Sequence, residues 1–239
     1  MSRNVPPYYY SASSASPTSP GRVTTSRVEL EHIGIAYVVL TFDLWLILSG
    51  SSLLGRASGF GFGLDWSIVA LAAAAALTGF LCHELAHKIA AQRRHAWAEF
   101  RMFPMGLVLS VFTAFLGFLF AAPGATVVGG MRDLKEWGET SLAGPLTNLG
   151  FGFAFFAAAY GLGASGAIGL SGFAFYALTV LAFFNAWFAA FNMIPLGPLD
   201  GRKILAWSAV RWTLTIIASA ALAVLAYATL YLSRPLFIS

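Results

Sequence analysis

Several stretches of about 20 mostly apolar residues dominate this chain, each long enough to cross roughly 30 Å of hydrocarbon as a helix. Spans are expected at about 33–54, 67–90, 141–162, 170–195 and 211–232. Of the 239 residues, 58% are hydrophobic and only 10% charged, against about 25% charged in soluble domains. One compact membrane domain therefore fits better than two soluble ones. The expected fold is an all-α polytopic membrane protein with about five to six transmembrane helices.

The stretch 103–125 is ambiguous. It is apolar but holds Pro104, Pro123 and several glycines, and it runs into Ala125-Thr126-Val127-Val128, whose β-branched centre suits an extended strand. A re-entrant or strand-containing hairpin is expected there, between the second helix and the next. Residues 1–28 are rich in Ser, Pro, Thr and Tyr and lack helical periodicity. This leads to a flexible tail over 1–32 and a single membrane-embedded domain over 33–239. The tail is not a secretory signal, because the first apolar run begins near Ile33 and is long enough to remain as a span. No internal repeat, heptad run or inserted soluble domain is visible.

The net charge of +4 comes from 14 Lys and Arg against 10 acids. Most of these residues lie in short loops rather than in a stripe that tracks nucleic acid, so they read as topology signals. The single cysteine, Cys82, excludes an internal disulfide and reads as a small apolar helix residue.

The sequence HELAH at 83–87 falls near the end of the second span. His83 and His87 stand one turn apart on one helix face, so two imidazoles can converge on a tetrahedral metal. Glu84 is one step round the helix and reaches a metal-bound water rather than the metal, the division of labour of helix-borne zinc hydrolases. Ionisable groups in an apolar helix are costly unless they face a polar cavity, which favours function over a buried cluster that merely ties helices together. A catalytic zinc needs a third protein ligand and one open position. Asp133, Glu136 and Glu139 sit with Arg132 and Lys135 in what reads as a solvated turn. Asp200 lies instead in Asn192-Met-Ile-Pro-Leu-Gly-Pro-Leu-Asp-Gly201, where Pro195, Gly197 and Pro198 forbid a continuous helix. Irregular backbone at membrane depth lines a cavity or is buried in protein, so Asp200 is the expected third ligand, against an ordinary turn aspartate.

HELAH, then AGPLTN at 143–148, then NMIPLGPLDG at 192–201, in that order on separate apolar segments, resemble the site-2 protease family of intramembrane zinc metalloproteases. The resemblance implies one zinc per chain held by His83, His87 and Asp200, with Glu84 activating the water. It implies a substrate that is a membrane-spanning segment of another protein, and a role for Asn192 in binding the substrate backbone or stabilising the oxyanion. Asn148 reads better as a helix-packing hydrogen bond. Many members add a peptide-binding PDZ domain or a soluble regulatory domain; neither is seen here, so a minimal catalytic core is expected. The implied setting is the cell membrane of a prokaryote, with lipid and a membrane-anchored substrate as partners and no nucleic acid. The segment Thr126–Val128 can supply an edge strand that holds an unwound substrate. Three rivals remain: a zincin with a glutamate as third ligand, a non-catalytic zinc-binding membrane protein, and a metal transporter, which should show more intramembrane His and Asp.

Arg22 and Arg27 precede the first span, Lys88, Arg93, Arg94 and Arg101 follow the second, and Arg202, Lys203 and Arg211 follow the fourth. All three groups should face the cytoplasm, as should the N-terminus. His83, His87 and Asp200 are expected at the C-terminal ends of parallel helices, which requires an odd number of crossings between them. The span 141–162 supplies one, so 103–125 should enter and leave on the same side. Single cysteines in a Cys82→Ser background at positions 94, 135 and 203 should label from the cytoplasm, and at 61 and 239 from outside. Labelling of position 135 from outside would overturn this topology.

Overall fold

The computed structural model describes residues 23–52, 64–120, 122–166 and 172–233. The elements in order are α1 (Arg27–Leu48), α2 (Trp66–Gln92), β1 (Trp97–Met102), α3 (Pro104–Leu116), β2 (Gly124–Gly129), α4 (Leu134–Ala164), α5 (Phe173–Asn192), α6 (Asp200–Trp207) and α7 (Ala209–Ser233). Helices α1, α2, α4, α5 and α7 are long and apolar enough to cross a membrane. The fold is therefore the expected helical membrane bundle, with a hairpin between the second helix and the next long one.

Helix boundaries follow the caps. Ser26 Oγ accepts from Glu29 N at 3.1 Å, so α1 starts at Arg27, inside the stretch 1–32 expected to be tail. Residues 1–22 lie outside the described residues, so only Val23 onward of the expected tail is seen. Asp133 caps α4 by accepting from Glu136 N at 2.9 Å, while the Glu136 carboxylate reaches back to Arg132 N at 2.9 Å. These two bonds make Lys135, Glu136 and Glu139 the opening turns of a 31-residue helix rather than a solvated turn.

The hairpin is built on a two-stranded antiparallel sheet. Trp97 pairs with Gly129 and Met102 with Gly124, and Phe103 N donates to Pro123 O at 2.8 Å. The insertion between the strands thus starts and ends at one place, as expected of 103–125. Helix α3 has 13 residues, about 20 Å of rise, too short for a full crossing.

Two apolar clusters hold the bundle. Ala36, Leu40 and Leu44 of α1 meet Ala72 and Ala76 of α2 and Val180 and Phe184 of α5. Leu149 of α4 meets Ala186 and Ala189 of α5 and Leu222 of α7. The alanines let helix backbones approach where lipid offers no hydrophobic drive.

A polar knot joins α1, α2 and β1. Lys88 and Glu29, 2% and 0% exposed at their side chains, form an ion pair. Lys88 Nζ also donates to Thr25 Oγ1 at 2.8 Å, and Glu29 Oε1 accepts from Phe100 N at 3.0 Å. Gln92 closes the knot by bonding both Thr24 N and O, each at 3.1 Å, and Ala98 O at 3.0 Å. Removing one member of a buried pair strands the other charge. Glu29→Leu and Lys88→Met should each destabilise by about 3 kcal/mol, and the double variant Glu29→Leu with Lys88→Met by less than the sum. Reversible unfolding in one detergent checks this; additive losses would show that the two groups act separately.

Candidate metal centre

The site is assembled by α2, α4, α6 and β2. Helix α2 carries His83, Glu84 and His87, all buried, in its last third. A π-helical turn, Leu77–Leu81, immediately precedes them. Such turns break the regular ladder, and here the Gly79 carbonyl accepts from Asn148 Nδ2 at 2.9 Å.

Asp200 arrives by a different route. After α5 the chain turns through Gly197, whose φ of +52° is left-handed, and Leu199 is extended. Asp200 is then the first residue of the short helix α6, not the end of a span as expected. The Met193 carbonyl, which begins the turn, accepts from Trp212 Nε1 of α7 at 2.7 Å, so the turn is tied to the next helix.

Three donor atoms converge. His83 Nε2 and His87 Nε2 stand 2.9 Å apart, and Asp200 Oδ2 lies 3.2 Å from the first and 2.9 Å from the second. The histidines' other nitrogens settle their protonation. Asn148 turns its amide nitrogen to the Gly79 carbonyl, so its oxygen, 3.1 Å from His83 Nδ1, must accept. The Thr140 carbonyl, 2.8 Å from His87 Nδ1, can only accept as well. Both Nδ1 atoms therefore carry hydrogen, and in neutral imidazoles both Nε2 lone pairs face each other and the carboxylate. A proton bridges one pair of these atoms; a metal ion satisfies all three. The edges of this triangle are close to the roughly 3.3 Å expected between tetrahedral ligands at 2.0–2.1 Å from zinc. Space is reserved as well: a Cβ on Gly144 of α4 would lie 2.6 Å from His83 Nε2 and closer still to His87 Nε2. The residues present fit a bound metal, and among the described residues His83, His87 and Asp200 form the one such cluster.

Glu84 stays outside the triangle. Its Oε2 accepts from Thr126 N at 2.9 Å and Thr126 Oγ1 at 2.8 Å. The cavity over the triangle is lined by His83, Glu84, His87 and Asp200, by Gly124 to Thr126 of β2, and by Asn192. Asn192 reaches the wall, but its Nδ2 donates to the Phe188 carbonyl of its own helix at 3.0 Å. The loop carboxylates do not converge here: Asp133 is a helix cap and Glu139 pairs with Arg94 at 2.8 Å.

The residues that sequence reading missed are supporting ones. Asn148 packs helices, as read, but also orients His83. Gly144 lies in the same AGPLTN motif, whose small residue is the only hint of close approach. Thr140 acts through its carbonyl, which carries no side-chain signal. Pro145 interrupts the helical ladder in this turn of α4.

The chain is 36% identical over 142 residues to a protein of Methanocaldococcus jannaschii named "Putative zinc metalloprotease". The match covers 57% of this chain and 70% of that protein. No family model matches the chain, and no solved structure does.

Two substitutions test the centre. Asp200→Ala should lower bound divalent metal per protein, since two histidines leave the ion poorly fixed. Gly144→Ala should do the same by filling the space between the donors. Asp133→Ala serves as control. Elemental analysis in one detergent and at one pH decides; metal retained in Asp200→Ala and lost in Asp133→Ala would move the third ligand.

Proposed function

Because the chain belongs to the same zinc metalloprotease family as its archaeal relative, we propose that it is an intramembrane zinc endopeptidase of the site-2 type. Its substrate is a membrane-spanning segment of another protein. The observation that carries this reading is the triangle of His83, His87 and Asp200 with Glu84 beside it, built from helices long and apolar enough to span a bilayer. His83, His87 and Asp200 would hold one zinc. When bound there, zinc supplies a Lewis acid and makes water acidic near pH 7.

Glu84 takes the proton of the attacking water and returns it to the leaving amine. Its Oε1 suits this task, because Oε2 is already engaged by Thr126. Asn192, at the cavity wall, binds the substrate backbone or the developing oxyanion once its amide leaves the Phe188 carbonyl. A substrate helix hides its carbonyls in its own hydrogen bonds and must unwind locally. The edge of β2 that lines the cavity receives the unwound stretch by strand addition. The net positive loops suit a cytoplasmic site in a prokaryotic cell membrane. Transport of metal is less well supported, because among the described residues no second cluster of His, Cys, Asp and Glu marks a transit path.

Glu84→Gln should leave zinc bound and lower cleavage by at least roughly a hundredfold, the scale of general acid–base catalysis. The assay is co-expression with model membrane-anchored substrates, with the cut mapped in wild type. Cleavage at a near wild-type rate in Glu84→Gln would sink the assignment. Loss of zinc in that variant would make Glu84 a ligand.

A further inference from the structure

We infer that Thr126 is the positioning residue of Glu84, an inference that rests on reading Glu84 as the general base. A glutamate side chain turns about three bonds, and a base must hold its reacting oxygen within about half an ångström. Something has to localise the carboxylate. Thr126 places two donors on a single oxygen of Glu84, its main-chain N–H at 2.9 Å and its hydroxyl at 2.8 Å from Oε2. Among the described residues Oε1 has no hydrogen-bond partner, and Glu84 lines the cavity beside the three converging donors. One oxygen is thus anchored and the other left for chemistry, the arrangement of a base oriented by a third group.

The position of Thr126 is itself determined. It stands opposite Phe100 in the antiparallel register. At this rung both main-chain N–H groups point out of the ladder: that of Phe100 goes to Glu29 Oε1 at 3.0 Å, and that of Thr126 to Glu84. A carboxylate therefore grips each edge of the same rung. Glu29 is in turn paired with Lys88, which is one turn beyond Glu84 on α2. The circuit Glu84, Thr126, Phe100, Glu29, Lys88 starts and ends on α2 and fixes the strand against the helix that carries the base. The main-chain arm survives every substitution of Thr126 except proline, which has no N–H. The hydroxyl arm is the one that a side-chain change can remove.

Thr126→Val keeps the size, the β-branch and the N–H but deletes the hydroxyl, and Thr126→Ser keeps the hydroxyl. Thr126→Val should lower kcat roughly tenfold, the scale of one hydrogen bond to a charged group, with KM and zinc content unchanged. Thr126→Ser should stay within about twofold of wild type, because the same donor remains. A second measurement needs no cleavage. Protein labelled with ¹³C-glutamate has six side-chain carboxyls, Glu29, Glu31, Glu84, Glu99, Glu136 and Glu139, and the resonance missing in Glu84→Gln belongs to Glu84. In micelles that resonance should move in Thr126→Val and hold in Thr126→Ser. An unmoved resonance, an unchanged kcat in Thr126→Val, or a Thr126→Ser as slow as Thr126→Val would overturn the inference. If wild type cleaves nothing, the protease reading fails, and the resonance still decides whether Thr126 holds Glu84.

Discussion

Two hydrogen bonds from one helix determine what the site can be. Asn148 and Thr140 of α4 present oxygens to the Nδ1 atoms of His83 and His87, and this turns both Nε2 lone pairs toward Asp200. Without those acceptors either ring is free to flip or change tautomer, and the three donors have no reason to share a point. The same helix brings Gly144 up to the imidazoles, so α4 is both the orienting element and the floor of the site. A side chain at that position would close the space the donors surround.

The sheet and α1 set the other wall. Strand β2 stands against Glu84 because β1, its partner, is gripped by Glu29, and Glu29 is held by Lys88 of α2. A buried ion pair is weak evidence for stability, since desolvation offsets much of its attraction. Here its value is geometric: it ties a two-stranded sheet, too small to be stable alone, to the two helices that flank it. The hairpin helix α3 hangs from the same sheet, so its short insertion needs no crossing of its own. The wall of the cavity is therefore formed in part by the strand edge Gly124 to Thr126, while its floor is side chains from helices.

Much of this was legible in the chain itself. The five long helices follow from apolar length, because only a run of about 20 residues spans hydrocarbon. His83, Glu84 and His87 follow from helical spacing, since residues four apart share a face whatever the helix packs against. The strand at Thr126 and the turn before Asp200 follow from β-branched and proline chemistry. Boundaries were less legible. The start of α1 at Arg27 and of α4 at Leu134 depended on caps at Ser26 and Asp133, and charged residues after a cap look from sequence like loop.

What the sequence by itself determined, then, is which elements form and which residues on each can do chemistry, because those rest on local spacing and on the cost of polar groups in an apolar run. Tertiary structure alone decided how they meet. That Asp200 closes the triangle of donors is a distance across 113 residues from His87, set by helix packing and a tied-down turn. The acceptors that orient the histidines are an amide and a main-chain carbonyl on another helix, and the partner of Glu84 is a strand edge 42 positions away. The Thr140 carbonyl and the Thr126 N–H have no local signature, since a main-chain oxygen or N–H is the same at every residue and gains a role only from what folding brings beside it.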